Sequence, residues 1–155
     1  RQLGEGFVLH YTGGPAAEKD KAQMPPNMID MGRLQGDAAV VAAMQNADAL
    51  LFPSRSEGHP LVAVEAMACG LPIIGMHGSS VSEAVTDGQT GLLCPQNDVA
   101  AFVTATRSLA ADKARYASLA QAARLQAVEH FSETTMIDAY LHLYHCVAAG
   151  AKGAL

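Results

Sequence analysis

One stretch of the chain, residues 49–70, constrains the fold more than any other. It begins with the apolar run Ala-Leu-Leu-Phe at residues 49–52, which predicts a buried β-strand. A small polar loop follows, and an apolar helix is expected from Pro60 to Gly70, because proline suits the first position of a helix and glycine the position just past its end. The order strand, loop, helix places the free amides and the positive dipole end of the helix at the carboxyl end of a strand, where an anion can bind.

The rest of the chain repeats this alternation of strand and helix. Further strands are predicted at residues 7–11, 27–32, 71–76 and 90–94, and helices at 16–23, 38–46, 80–85, 99–109, 112–130 and 133–149. The predicted helix N-caps are Asp37, Ser80 or Ser82, Asp98, Asp112 and Ser132. The alternation indicates an α/β fold, a Rossmann-like doubly wound parallel sheet with helices on both faces, followed by a helical C-terminal segment.

Composition limits the classes of function. The chain has 155 residues, half of them hydrophobic, and a formal net charge of −5. A single domain is expected, and the negative charge argues against a nucleic-acid or anionic-membrane partner. No uncharged apolar run approaches the roughly 18 residues that span a bilayer. The three cysteines are widely spaced, which is typical of free thiols in a cytoplasmic protein.

The opening stretch also carries a family resemblance. Residues 53–72 read Pro-Ser-(x)2-Glu-Gly-(x)6-Glu-Ala-Met-Ala-(x)-Gly-(x)-Pro, with Glu57 and Glu65 inside the run. This pattern resembles the signature of retaining glycosyltransferases of family 4, also called group 1. Residues similar to the family's also stand at Gly32, at 47–48 and at 83–93, so the resemblance covers residues 12–95. It implies one half of a GT-B fold, the C-terminal half that binds a nucleoside-diphosphate sugar, and a metal-independent transferase without a cofactor.

The resemblance assigns expected roles to particular residues. Glu57, the strongest candidate catalytic residue, would accept hydrogen bonds from hydroxyls of the donor sugar, and Glu65 would accept from the ribose. Without the pattern, Glu57 reads as a cap or dipole partner of the helix. A buried and unpaired Glu65 would be costly among its apolar neighbours, so it is expected to have a partner. The remaining donor-binding candidates are Gly58, His59, Leu61, Val62, Gly78, Ser79, Gly32 and Arg33.

Alternatives remain for several of these candidates. Gly58 would permit close approach, and the amides of Leu61 and Val62 would reach the diphosphate. His59 also fits a residue that fills the wall of the loop. Glu83 is expected to give no more than a supporting contact or a helix charge. For the rest, Gly78, Ser79 and Ser80 would bond sugar or phosphate, and Gly32 and Arg33 either lie near the nucleobase or form an ordinary strand-to-helix loop. No histidine has metal-ligand spacing, so no metal is expected.

The resemblance also identifies parts of the family that this chain does not match. Family members have an N-terminal acceptor domain, and their donor domain opens with a central strand followed by an Arg and a Lys that bind the diphosphate. Residues 1–155 are therefore expected to be fragment-like, with a gap in the strand order 3-2-1-4-5-6. Direct re-pairing or pairing with a second chain would close that gap. The helix at 133–149 resembles the family's segment that packs on the first domain, so it is expected to seek the core or a second subunit, as in a homo-oligomer.

Two other functions are compatible with parts of the sequence. A catalytically silent nucleotide-sugar-binding or interaction domain is the alternative to half of an enzyme. A dinucleotide-dependent oxidoreductase is disfavoured, because no Gly-x-Gly-x-x-Gly follows a predicted strand. In a full-length enzyme, the protein would be cytoplasmic or peripheral to the inner membrane face.

Overall fold

Strands and helices alternate along the chain as predicted. The structure is a computed structural model that describes residues 2–13, 24–78 and 80–149, so the helix predicted at 16–23 lies outside the described residues. The strands are β1 (Leu9–Tyr11), β2 (Met28–Asp30), β3 (Leu50–Phe52), β4 (Ile73–Met76) and β5 (Gly91–Cys94). The helices are α1 (Asp37–Gln45), α2 (Leu61–Ala68), α3 (Val81–Ala84), α4 (Val99–Ala111), α5 (Lys113–His130) and α6 (Glu133–Ala148).

All described strands are parallel, but they form two sheets. One sheet pairs β1 with β2, and the other has the order β3-β4-β5. The registers place Leu9 beside Met28, Leu50 beside Ile73, and Ile73 beside Gly91. Within the described residues, β1 and β3 therefore each keep one unpaired edge.

Direct re-pairing of β1 with β3, one of the two expected ways to close the gap, does not occur. The backbone before β1 is held on α4 instead, because Arg107 Nη2 donates to the carbonyl oxygens of Gln2 at 2.8 Å and Leu3 at 3.3 Å. An apolar groove of about 270 Å³ lies between this segment, Leu51 of β3 and the first turns of α4. Pairing of these edges with another segment or chain, the other expected way, stays a prediction.

Helices cover both faces of the three-stranded sheet, which confirms the doubly wound architecture. All four residues of β4 are buried, and the side chains of Ile73 and Ile74 belong to two different cores. Ile73 belongs to the core that includes Met67 of α2 and Val81 of α3. Ile74 belongs to the core on the other face, with Leu109 of α4 and Leu119 of α5. Burial on both faces is typical of parallel sheets.

Side-chain caps begin the three long C-terminal helices. Asp98 accepts from the amide of Ala101 at 2.9 Å, and Asp112 from that of Arg115 at 2.9 Å. Ser132 accepts from the amide of Thr135 at 3.2 Å. These three predicted caps are confirmed.

Two other predicted caps are wrong. Asp37 is the first residue of α1, and the N-cap is Gly36, whose φ of 77° is readily adopted only by glycine. Ser80 occupies the N-cap position of α3 but makes no capping bond. Its backbone is already helical, with φ −59° and ψ −12°, whereas a capping serine typically has extended dihedrals. Ser82, the other candidate, lies inside α3.

The last helix, α6, carries an uncovered apolar stripe. None of its residues is buried, and Met136, Tyr140, Tyr144 and Val147 are each more than half exposed. The apolar face was expected to pack on the core or on a second subunit. Packing on the core is wrong, because nothing in the described residues covers the stripe. No helix in the described part of the chain is long and apolar enough to cross a membrane.

Candidate functional site

A polar cavity lies where the carboxyl ends of β3 and β4 meet. Its volume is about 440 Å³. Ser56, Glu57 and Gly58 line it from the loop after β3, and Gly78, Ser80, Ser82 and Glu83 line it from the segment after β4. The carboxyl edge of the strands is where open α/β sheets bind their ligands. Three of the predicted site residues, Glu57, Gly58 and Gly78, are therefore brought together here.

The loop and helix after β3 form nearly as predicted. Pro60 is the N-cap rather than the first helical residue, with φ −83° and ψ 68°, and its carbonyl oxygen accepts from the amides of Ala63 and Val64 at 2.9 and 3.1 Å. The prediction was one residue early because proline has a suitable φ at both positions. The amide of Leu61 donates to the carbonyl oxygen of His59 at 2.9 Å. Val62 lies in the first turn, where helix amides have no intrahelical acceptor.

The end of α2 forms the turn that leads into β4. Gly70 has φ 73°, and its amide donates to the carbonyl oxygen of Met67 at 2.9 Å. The amide of Leu71 donates to the carbonyl oxygen of Ala66, also at 2.9 Å. These two bonds are the Schellman motif, which confirms Gly70 as the residue just past the helix end. The motif fixes the path from α2 into β4 and so the position of the loop after β4.

Glu57 is held by a neighbouring serine. Ser54 Oγ donates to Glu57 Oε1 at 2.6 Å, and the carboxylate is exposed at the cavity. The serine orients one carboxylate oxygen, so the other is available to a ligand. Gly58 is open on its side-chain side, with no atom within 4 Å of where a Cβ would lie. The sequence contained Ser54 within the signature, but its role depends on a loop conformation that the pattern does not encode.

The loop after β4 is fixed from β5. The amide of His77 donates to the carbonyl oxygen of Cys94 at 2.9 Å, and Gln96 Nε2 donates to the carbonyl oxygen of His77 at 3.0 Å. Gly78 has φ 77°, and its amide donates to Ser82 Oγ at 3.2 Å. A Cβ on Gly78 would come within 3.1 Å of Gln96 Nε2. Sequence reasoning missed Gln96, because a glutamine after a strand carries no signal of its own.

Ser80 and Glu83 of this loop also line the cavity. The hydroxyl of Ser80 is buried and has no hydrogen-bond partner. Glu83, expected to give no more than a supporting contact or a helix charge, lines the cavity together with Glu57. Ser79, a predicted donor-binding residue, lies outside the described residues.

The other predicted site residues do not line this cavity. His59, Leu61, Val62 and Glu65 belong to the loop and helix after β3 and are exposed. We expected Glu65 to need a hydrogen-bonding partner because its sequence neighbours are apolar, and this prediction is wrong. The core face of α2 is formed by Ala63, Ala66 and Met67, and Glu65 points away from it into solvent. Exposure leaves its carboxylate accessible without a burial cost.

Gly32 and Arg33 lie at the carboxyl end of the other sheet. Gly32 has φ 67°, and its amide donates to Asp30 Oδ1 at 2.8 Å. Its carbonyl oxygen accepts from Thr12 Oγ1 at 2.8 Å and from the amide of Gly13 at 3.3 Å. These bonds join the segments that follow β1 and β2. Arg33 is exposed. In the described part of the chain, no group of three or more His, Cys, Asp or Glu side chains is arranged to hold a metal.

The doubly wound parallel sheet, with a polar cavity at the carboxyl ends of its strands, defines a Rossmann-like ligand-binding domain. A family model described as "Glycosyl transferases group 1" matches residues 16–126. The chain belongs to this family.

Named relatives agree with this assignment. The chain is 35% identical to a glycogen synthase of Mycobacterium tuberculosis over 113 residues. The aligned region covers 73% of this chain and 27% of that protein. The chain is 40% identical over 145 residues to a D-inositol 3-phosphate glycosyltransferase of Rhodococcus opacus, covering 86% and 32%. Sucrose-phosphate synthase of Thermosynechococcus elongatus superposes with a TM-score of 0.77 at 25% identity, over 92% of this chain and 39% of that one. The chain thus spans about a third of the length of these proteins.

Proposed function

We propose that this chain is the donor-binding half of a retaining glycosyltransferase, which moves a sugar from a nucleoside diphosphate to an acceptor. The observation that carries the proposal is the polar cavity at the carboxyl ends of β3 and β4, with Glu57 at its wall. Family membership supports the transfer of a sugar. The names of the two curated relatives, a glycogen synthase and an inositol-phosphate glycosyltransferase, imply different acceptors, so the acceptor is not assigned.

In this proposal the sugar occupies the cavity. The carboxylate of Glu57, oriented by Ser54, accepts hydrogen bonds from sugar hydroxyls and helps to place the anomeric carbon. Charge-assisted bonds of this kind are among the stronger hydrogen bonds in proteins. Gly58 has open space on its side-chain side, which permits close approach of the ligand to the backbone.

The diphosphate is proposed to lie at the first turn of α2. The amide of Val62 is the best-placed donor, because that of Leu61 already donates to His59 O. The fold therefore offers fewer free amides there than the sequence led us to expect. Glu65 lies three residues further along the helix, about 4.5 Å of axial rise, and its exposed carboxylate is proposed to accept from the ribose. Gly32 and Arg33, after β2, are proposed to face the nucleobase.

The chemistry that these residues support is positioning and charge stabilisation. A diphosphate is a good leaving group, so the main task is to stabilise its growing negative charge, which the positive end of α2 does in part. Glu57 and Glu65 act here as hydrogen-bond acceptors and do not form the acid and base pair of a glycosidase. The nucleotide sugar is the substrate, and no further cofactor is proposed.

The unpaired edges of β1 and β3 support a further part of the proposal. We propose that another strand, from an upstream segment or a second chain, lies between them, and that an acceptor domain or second subunit completes the active site. The apolar groove beside Leu51 would receive side chains of that strand. The 155-residue chain by itself is therefore expected to bind donor without transferring sugar.

Calorimetry tests the proposed binding. The chain would be titrated with UDP-, GDP- and ADP-sugars and with the matching bare nucleotides. We expect Glu57→Ala to weaken binding of the nucleotide sugar by about tenfold while affinity for the bare nucleotide stays the same. Glu129→Ala, at an exposed position on α5, is the matched control and should change neither. Equal losses for sugar nucleotide and nucleotide would show that Glu57 does not contact the sugar.

An activity assay separates the enzyme from the silent alternative. The chain completed by the proposed acceptor domain or second subunit should release nucleotide from the donor that binds, and Glu57→Ala should suppress the release. Binding without release by that complete assembly would favour a nucleotide-sugar-binding or interaction domain instead.

A further inference from the structure

Ser80 has an unusual place in the wall of the cavity. It lines the cavity, yet its hydroxyl is buried and has no hydrogen-bond partner. Leaving a buried hydroxyl unpaired costs stability, and a ligand group that bonds to it removes that cost. Its neighbour Ser82 differs, because its hydroxyl accepts from the amide of Gly78. A rotation about χ1 would turn the Ser80 hydroxyl toward a ligand in the cavity and give it a partner.

The charged side chains that line the cavity are negative. Glu57 and Glu83 both line it, and none of the described residues in its lining is a Lys, Arg or His. The Arg and His side chains nearest in sequence, Arg55, His59 and His77, are exposed and lie outside the lining. A ligand with a negative group in this space would meet two carboxylates, and no cation from the described residues lines the cavity to compensate. The lining therefore suits neutral hydroxyl groups and opposes a phosphate or a carboxylate.

From these observations we propose that Ser80 and Glu83 are specificity-determining residues, which together with Glu57 select an uncharged sugar over an acidic one such as a uronic acid. The inference rests on the proposed function and deepens it, because it concerns the sugar end of the same site. Glu83 accepts from a sugar hydroxyl and repels a sugar carboxylate. The hydroxyl of Ser80, which is unpaired in the free protein, forms a hydrogen bond to the bound sugar.

The size of the charge effect can be estimated. When the effective dielectric constant is about 40, the repulsion between two like charges about 6 Å apart weakens binding by about tenfold. Removing one of the two carboxylates should therefore reduce discrimination against an acidic sugar by about tenfold. In the proposed binding mode the bare nucleotide does not reach the cavity, so its affinity should not change.

The test compares matched donors that differ in one carboxylate. Titrations would use UDP-glucose against UDP-glucuronic acid, GDP-mannose against GDP-mannuronic acid, and bare UDP and GDP. Glu83→Gln keeps the shape and removes the charge, and it should narrow the ratio of affinities for neutral and acidic sugar by about tenfold. Glu129→Gln on α5 is the control and should leave the ratio unchanged.

Ser80→Ala gives a second and independent measurement. It should weaken binding of the neutral nucleotide sugar by about fivefold and leave that of the nucleotide unchanged. The same variant should unfold at an equal or higher temperature, because it removes an unpaired buried group. Ser118→Ala on the exposed side of α5 is the control. A lower unfolding temperature with unaltered binding would show that Ser80 is structural and overturn its assigned role.

The outcomes separate this inference from the proposed function. If none of the nucleotides or nucleotide sugars binds, the proposed function fails and this inference fails with it. If they bind but Glu83→Gln leaves the ratio unaltered, or the wild type prefers the acidic sugar, only the assignment of specificity is overturned.

Discussion

The hydrogen bond from Ser54 to Glu57 predicts a measurable coupling between the two residues. Ser54 Oγ lies 2.6 Å from Glu57 Oε1, and no other side chain in the described residues donates to this carboxylate. Ser54→Ala removes the donor that orients the carboxylate but leaves the carboxylate itself in place. The variant should bind the nucleotide sugar more weakly, because the freed Glu57 side chain must be ordered when the sugar binds.

The magnitude follows from the kind of bond and its exposure. A hydrogen bond to a charged group contributes about 1.5–3 kcal/mol when buried. Glu57 is exposed, so water competes for its oxygens, and we expect about 1 kcal/mol, which is about fivefold in a dissociation constant. Unfolding temperature should hardly change, since both side chains belong to a surface loop.

A double-mutant cycle measured by calorimetry checks this reasoning. Ser54→Ala, Glu57→Ala and the double variant would each be titrated with a nucleotide sugar and its bare nucleotide. If Ser54 acts only through Glu57, the serine substitution should have no further effect in the Glu57→Ala background, which has no acceptor for the serine hydroxyl. Fully additive losses, or a loss of affinity for the bare nucleotide, would refute the positioning role of Ser54.

Three further predictions concern stability and thiol chemistry. Gly91→Ala should destabilise the fold by about 2 kcal/mol, because the new Cβ would lie 2.7 Å from the Ile73 carbonyl oxygen. Urea unfolding would measure this loss, with Gly6→Ala as the control because no atom lies within 4 Å of a Cβ there. Gly70→Ala should cost about 1 kcal/mol through its φ of 73°, and an equal stability of Ala and Gly there would contradict the Schellman geometry. Burial raises the pKa of the Cys94 thiol above its ordinary value, and the charges of Asp87 and Asp98 raise it further. The contribution of the neutral thiol to folding stability should therefore be present below about pH 9 and be lost as the pH rises further. Alkylation of the folded chain should accordingly reach Cys94 last of the cysteines, and faster labelling of Cys94 than of the others would contradict its burial.

The sequence predicted best those features that depend on neighbouring residues. Asp98, Asp112 and Ser132 cap their helices because capping needs only a short side chain and an amide three residues on. Gly70 closes α2 because a left-handed residue there needs no contact from elsewhere. Asp37 failed as a cap because Gly36 can adopt a conformation that moves the cap one position earlier.

Features that depend on distant contacts were not predictable. The environment of Glu65 was inferred from the polarity of its neighbours, but the core face of α2 is set by the sheet beneath it, and that face excludes position 65. Gln96 and His77 are 19 residues apart in sequence, and only the parallel pairing of β4 with β5 brings them together. Likewise, the unpaired hydroxyl of Ser80 and the presence of Glu83 beside Glu57 follow from how the loop after β4 packs.

A structure of the chain with an uncleaved nucleotide sugar bound would show directly whether the sugar occupies the cavity beside Glu57. We expect the sugar ring in the cavity between the segments that follow β3 and β4, with at least one hydroxyl within hydrogen-bonding distance of a Glu57 carboxylate oxygen. The diphosphate should lie at the first turn of α2 and the ribose beside Glu65. A nucleoside in that cavity, or a ligand bound elsewhere with the cavity empty, would contradict the account.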